Sequence, residues 1–262
     1  MNKTRKALIN AILLILTLII NALGAIGWLN GLSQKAVSDM YPTLITPSPF
    51  TFSIWGVVYS FLILSIIMML LRNNDPYYQK AVDRISILFW ISCIFNIAWI
   101  IAFSYILLEL SLVLIFGFTI VMALICTQLA LINDKHRFLL PITFSLYTGW
   151  LFIATVVNTA ATLVKIQWQG FNIPIMIWSI IALIVAIIIV LLVNTQLKNA
   201  VFPLPIAWAY FGIYQNLSTL SLSNDYQLLK ITALIGMAIL IGIAAIQLYK
   251  NQFSIIANDS IY

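Results

Sequence analysis

The stretch Ile173–Val193, IPIMIWSIIALIVAIIIVLLV, decides the fold: 21 residues with no charged side chain and no alternation of polar with apolar positions. About 20 apolar residues in helical form cross the roughly 30 Å of hydrocarbon in a bilayer. In lipid the backbone must satisfy its own N–H and C=O groups, which a helix does alone and strands do only in a closed barrel. Barrel strands alternate over segments of about ten residues, and this block does not alternate. It is a transmembrane helix.

Working outward, similar blocks recur along the whole chain. They place spans at 7–29, 50–71, 85–103, 110–132, 138–163, 173–193, 201–217 and 228–248. The 201–217 span opens on Pro203 and Pro205, residues a helix tolerates in its first turn. Of the 262 residues 63% are hydrophobic and 8% charged, against about a quarter charged in a soluble domain. The fold class is therefore all-α, a polytopic bundle of about eight transmembrane helices.

Charge sets the orientation. With the N-terminus inside, the cytoplasmic segments hold Lys3, Arg5, Lys6, Arg72, Lys80, Arg84, Lys135, Arg137, Lys198 and Lys250, ten of the 13 basic residues. Lys35, Lys165 and Lys230 fall outside. This is the bias of the positive-inside rule for an even number of spans, with both termini cytoplasmic. The basic residues form no stripe, so the net charge of +6 is a topology signal and nucleic acid is no partner. The first apolar stretch runs past Gly24 to Leu29, too long for the core of a cleaved signal peptide. The bacterial plasma membrane is the expected location.

Classical catalytic chemistry has no home here. Glu109, Asp134, His136 and Asp225 fall in short connections rather than at membrane depth, whereas ion-coupled transporters and pumps place such groups inside the membrane. Zinc, nucleophile-elbow and phosphate-loop motifs are absent, so we assign no catalytic residue and no metal ligand. Cys93 and Cys126 lie in apolar runs and read as small hydrophobes.

What the spans carry instead is aromatic surface and neutral amides. Trp55 and Tyr59 are four apart on one helix face. Asn96, Trp99 and Phe103 share a second face, and Trp150, Ala154 and Asn158 a third. Three such faces converging would make an apolar pocket with a few fixed polar groups. The plainer reading is that aromatics mark the interfaces and the amides pin helices together. Its signature would be a collapsed interior with the amides engaged between helices. Gly24, Gly27 and Gly31 read as packing residues, and Pro42–Pro49 as an ordered cap over the outer mouth, from which Asp39, Tyr41 and Thr46 could reach a ligand.

On these faces the sequence resembles the TspO/MBR family, the tryptophan-rich sensory proteins that include the mitochondrial translocator protein. The resemblance rests on Pro47, Pro49, Trp55 and Tyr59 leading into the second span, on Asn96, Trp99 and Phe103 in the third, and on Trp150, Ala154, Thr155 and Asn158 in the fifth. Pro141 stands nine residues ahead of Trp150 and Ser48 separates the loop prolines, both departures from the family pattern. The motifs cover about 7–165, a five-helix unit, which leaves 166–262 as three additional helices and a short tail.

The resemblance implies a sensor or receptor for a hydrophobic small molecule, with a tetrapyrrole such as a porphyrin or haem as the ligand and no required cofactor. Its expected binding residues are Trp55, Tyr59, Asn96, Trp99, Phe103, Trp150, Ala154 and Asn158. It also implies a homodimer in membrane lipid. The alternative from the residues alone is a facilitative transporter for an apolar or neutral solute, which needs no charge inside the membrane.

Overall fold

The computed structural model describes residues 2–132, 137–220 and 225–257. Asp134, Lys135 and His136 lie outside the described residues. Among those described, the chain forms nine α-helices and no strand. They are α1 Lys3–Ala25, α2 Gln34–Asp39, α3 Ile54–Leu71, α4 Pro76–Ser104, α5 Leu108–Ala130, α6 Leu139–Lys165, α7 Ile175–Leu197, α8 Pro203–Thr219 and α9 Gln227–Lys250. A 3₁₀ turn over Pro49–Ser53 leads into α3.

Seven of these helices are long and apolar enough to cross a membrane. The eighth expected span, α8, has 17 residues and is the short member. It starts within the bundle near one end and runs toward the other. The chain before α8 and the chain after α9 meet at one end, where Asn199 pairs with Ile256 and the Asn251 amide donates to the Lys198 carbonyl at 2.8 Å. α8 leaves that end and α9 returns to it. The starts of α1, α4 and α6 lie at the same end, joined by Lys6–Asp83 at 2.8 Å and Arg137–Asp75 at 2.6 Å. Lys165 and Glu109 pair at the opposite end, also at 2.6 Å. The start of α1 and the end of α9 thus share one side, as an even number of crossings requires.

Helix ends follow local chemistry. The Asp75 carboxylate accepts from the Tyr77 N–H and Pro76 takes the first helical position, so α4 begins well before the apolar run at Ile85. α1 stops at Ala25 rather than Leu29, because Gly27 turns the chain at φ 79°. Gly24 does pack closely, as a Cβ there would lie 2.9 Å from Ile100. Gly31, also at positive φ, serves the turn and not the packing.

α6 is the central helix, packing on α5, α3 and α8. Its hydroxyls bond back to carbonyls one turn earlier, as Thr143 to Leu139, Thr148 to Phe144 and Thr155 to Leu151. These hydroxyls thereby sit at membrane depth with their donors paired. Cys93 and Cys126 are buried free thiols, and the Cys126 sulfur lies 3.3 Å from the Thr148 hydroxyl.

Two helices start inside the bundle rather than at its surface. Ser65 pairs with Thr143 at 2.7 Å. Counting back along the antiparallel pair puts the start of α3 opposite Ala154, about 16 Å short of the outer end of α6. The chain after α2 descends to fill that space. At the other end α8 begins opposite Gly149, where a Cβ would meet the Phe202 carbonyl oxygen at 2.2 Å. That is about 15 Å into α6. Irregular backbone at such depth needs protein partners, and Asn199 supplies them. Its carbonyl accepts from the Val201 and Phe202 N–H groups at 2.8 and 3.0 Å, and its amide donates to Ser145. The Ala200 N–H donates to Ile255 in the tail at 2.9 Å.

Candidate functional site

The recessed start of α3 carries Trp55 into the middle of the bundle. Its indole stacks on Tyr59 one turn later, with centroids 5.2 Å apart and planes at 21°. Trp99 of α4 and Trp150 of α6 approach the same ring at 6.2 and 6.0 Å, Trp150 edge-on. Tyr147 meets Trp55 edge-on at 5.9 Å, and Phe52 of the 3₁₀ turn caps Trp150 at 5.9 Å. Edge-to-face pairs at these separations are favourable beyond their buried area. Trp150 and Trp99 are buried, whereas Trp55 and Tyr59 keep part of their surface open.

Beneath this cluster runs a chain of neutral hydrogen bonds. The Tyr59 hydroxyl donates to the Asn21 carbonyl at 2.8 Å, the Asn21 amide donates to the Asn96 carbonyl at 2.6 Å, and the Asn96 amide donates to the Tyr147 hydroxyl at 2.7 Å. Four helices, α1, α3, α4 and α6, are tied by three contacts. Asn96 thus acts as the pin of the plainer sequence reading, with both ends of its amide engaged.

The indole N–H groups behave differently. Nε1 of Trp99 and Nε1 of Trp150 are buried with no hydrogen-bond partner among the described residues. An indole N–H is a donor only, and buried donors nearly always find an acceptor. Trp208 and Trp178 show the ordinary arrangement, donating to the Thr51 and Gly170 carbonyls at 2.9 and 2.8 Å. The two orphan donors belong to the rings that face Trp55.

Of the expected site residues, Trp55, Tyr59, Asn96, Trp99 and Trp150 come together. Phe103 touches Trp99 at 6.4 Å but belongs to a second apolar cluster with Val37, Leu108 and Ala161 under α2. Ala154 packs half-buried on the main core, one turn beyond Trp150. Asn158 turns away from the cluster, its amide donating to Ser111 of α5 at 2.7 Å. The loop residues stay apart as well. Asp39 pairs with Lys35, Tyr41 packs on the cluster under α2, and Thr46 bonds Thr43 at 2.9 Å. Asn21, Phe52 and Tyr147 complete the site without having been singled out in the sequence. Tyr147 stands three residues before Trp150, a helical spacing that carried the signal, and Asn21 is an amide inside an apolar run.

A family model described as TSPO-like protein matches residues 7–246. The match runs on through α7 and α8 and most of α9, beyond the 7–165 segment that the motifs mark. No curated protein and no solved structure matches the chain.

Proposed function

Because this chain belongs to the TSPO-like protein family, we propose that it is a membrane receptor for a flat hydrophobic small molecule, of tetrapyrrole type, held against Trp55, Trp99 and Trp150. The observation that carries this reading is the pair of buried, unpartnered indole donors on two rings that face a third. A planar ligand with carboxylates at its edge offers π surface to the indoles and acceptors to their N–H groups. The engaged amides of Asn96 and Asn21 fix the floor of the cluster, and the half-open rings of Trp55 and Tyr59 must swing aside for a ligand to reach the buried N–H groups.

The test is a titration of protoporphyrin into the detergent-purified protein, followed by the porphyrin absorption band. Saturable binding should weaken about two- to tenfold in Trp150→Phe and in Trp99→Phe, which keep a ring but remove the donor. Trp178→Phe, far from the cluster, should bind as the wild type does. Absence of saturable binding, or binding indifferent to both variants, would overturn the proposal. Accumulation of porphyrin inside proteoliposomes would move the reading to facilitated transport through the same residues.

A further inference from the structure

A cavity lies at the other end of α3, well away from the tryptophan cluster. It encloses about 270 Å³ between Leu64 and Met68 of α3, Tyr77 and Tyr78 of α4, and Arg137, Phe138 and Leu139 at the start of α6. Its level along α6 is below Gly149, where α8 begins, so α8 does not extend down to it. The rim faces outward, with Leu64 46% and Phe138 61% exposed. In a chain that crosses the bilayer those side chains meet acyl chains, not water.

One end of this apolar cavity is cationic. The Arg137 guanidinium is held in place three ways, by the Asp75 carboxylate at 2.6 Å and by the rings of Tyr77 and Tyr78, each 5.8 Å away. A guanidinium has five N–H donors in a fixed fork, and among the described residues the Asp75 carboxylate and the Tyr78 hydroxyl engage it. Arg72, exposed at the end of α3, adds a second positive charge, and Asp75 is the acidic group that meets them among the described residues. The whole arrangement sits at the end of the bundle that gathers nine of the 12 described basic residues.

We propose that this cavity is a binding site for one anionic phospholipid of the leaflet on that side. The phosphate contacts Arg137 and Arg72, and the upper part of an acyl chain lies along Leu64, Met68, Phe138 and Leu139. The chemistry chooses the occupant. A small soluble anion has no use for the apolar wall, a zwitterionic lipid no net use for the arginines, and only a lipid with a net negative headgroup fits both. Basic pockets between helices at a charged membrane face recognise such headgroups.

The test places the full-length protein in phosphatidylcholine nanodiscs, titrates phosphatidylglycerol of the same acyl composition, and counts retained lipid by native mass spectrometry. The wild type should keep one phosphatidylglycerol in preference to phosphatidylcholine. Arg137→Gln should reduce that preference about fivefold, and Met68→Trp, which fills the cavity with both arginines in place, should abolish it. If Arg137→Gln does not fold, Met68→Trp decides alone. Equal retention of the two lipids, a preference unchanged in the variants, or displacement of the lipid by millimolar inorganic phosphate would overturn the proposal.

Discussion

α6 and α7 cross the same bilayer and obey opposite rules. α6 is the least apolar of the seven long helices, and 61% of its membrane window is buried in protein. α7 is the most apolar, and only 22% of its window is buried. In water the apolar helix would be the interior one. In lipid, apolar side chains gain nothing by leaving the solvent, so helices associate through close packing and hydrogen bonds. The helix with Thr143, Thr148, Trp150 and Asn158 therefore takes the centre, and the isoleucine-rich helix takes the rim. Polarity, rather than hydrophobicity, marks the core of this molecule.

The contrast can be strained most severely at Gly149. A side chain there meets the Phe202 carbonyl at 2.2 Å, and backbone cannot step aside cheaply. Gly149→Val should cost about 3 kcal/mol, read as a large fall in the detergent unfolding midpoint or as loss of folded protein. A variant as stable as wild type would mean that α8 is not docked on α6.

A smaller effect is expected from the hydrogen-bond chain. Asn96→Leu leaves Tyr147 and Asn21 without their shared partner and should cost about 1–2 kcal/mol in the same unfolding measurement. Gly242 of α9 has open space where a Cβ would go. Gly242→Ala should leave the protein unchanged or stabilise it by up to about 1 kcal/mol, the gain in helix propensity. Smallest of all, Ile188→Ala on the 49% exposed face of α7 should stay within about 0.5 kcal/mol of wild type. Should Ile188→Ala cost as much as Asn96→Leu, the distinction between a lipid-facing and a hydrogen-bonded helix would fail.

Hydropathy made the seven long helices and the short α8 legible in sequence, because lipid imposes a similar length on every crossing. It read their ends poorly, since it reports the hydrocarbon rather than the helix. α4 starts nine residues before Ile85, where Asp75 and Pro76 set the cap, and carries Asp83 and Arg84 out to the charged end. The 201–217 span anticipated the 17-residue length of α8, but the shortness of α3 and the recessed start of α8 were not readable. Both depend on which loop fills which gap, and nothing in the local composition of Pro203–Thr219 announces that it begins opposite Gly149.

At the site, four-residue spacing correctly brought Trp55 to Tyr59, whose rings stack. The same reasoning stretched to eight residues misplaced Asn158. Each step of four overshoots a helical turn by about 40°, so Trp150 and Asn158 diverge by about 80°. That is enough to aim one at Trp55 and the other at Ser111. Asn21 could not be matched to Asn96 from sequence, because the pairing of α1 with α4 is tertiary.

The shortness of α8 also bears on how the protein is made. Segments pass from the translocon into lipid one at a time when each is long and apolar enough to partition unaided. α8 spans 17 residues, opens on two prolines and carries Gln215 and Asn216 near its end. Its acceptable surroundings, α6, α9 and the proline loop around Thr51, are protein rather than lipid. It must therefore wait at the ribosome exit until α9 emerges and enter as half of a hairpin. A nascent chain ending after Thr219 should leave α8 accessible to aqueous thiol reagents, and one extended past Lys250 should not.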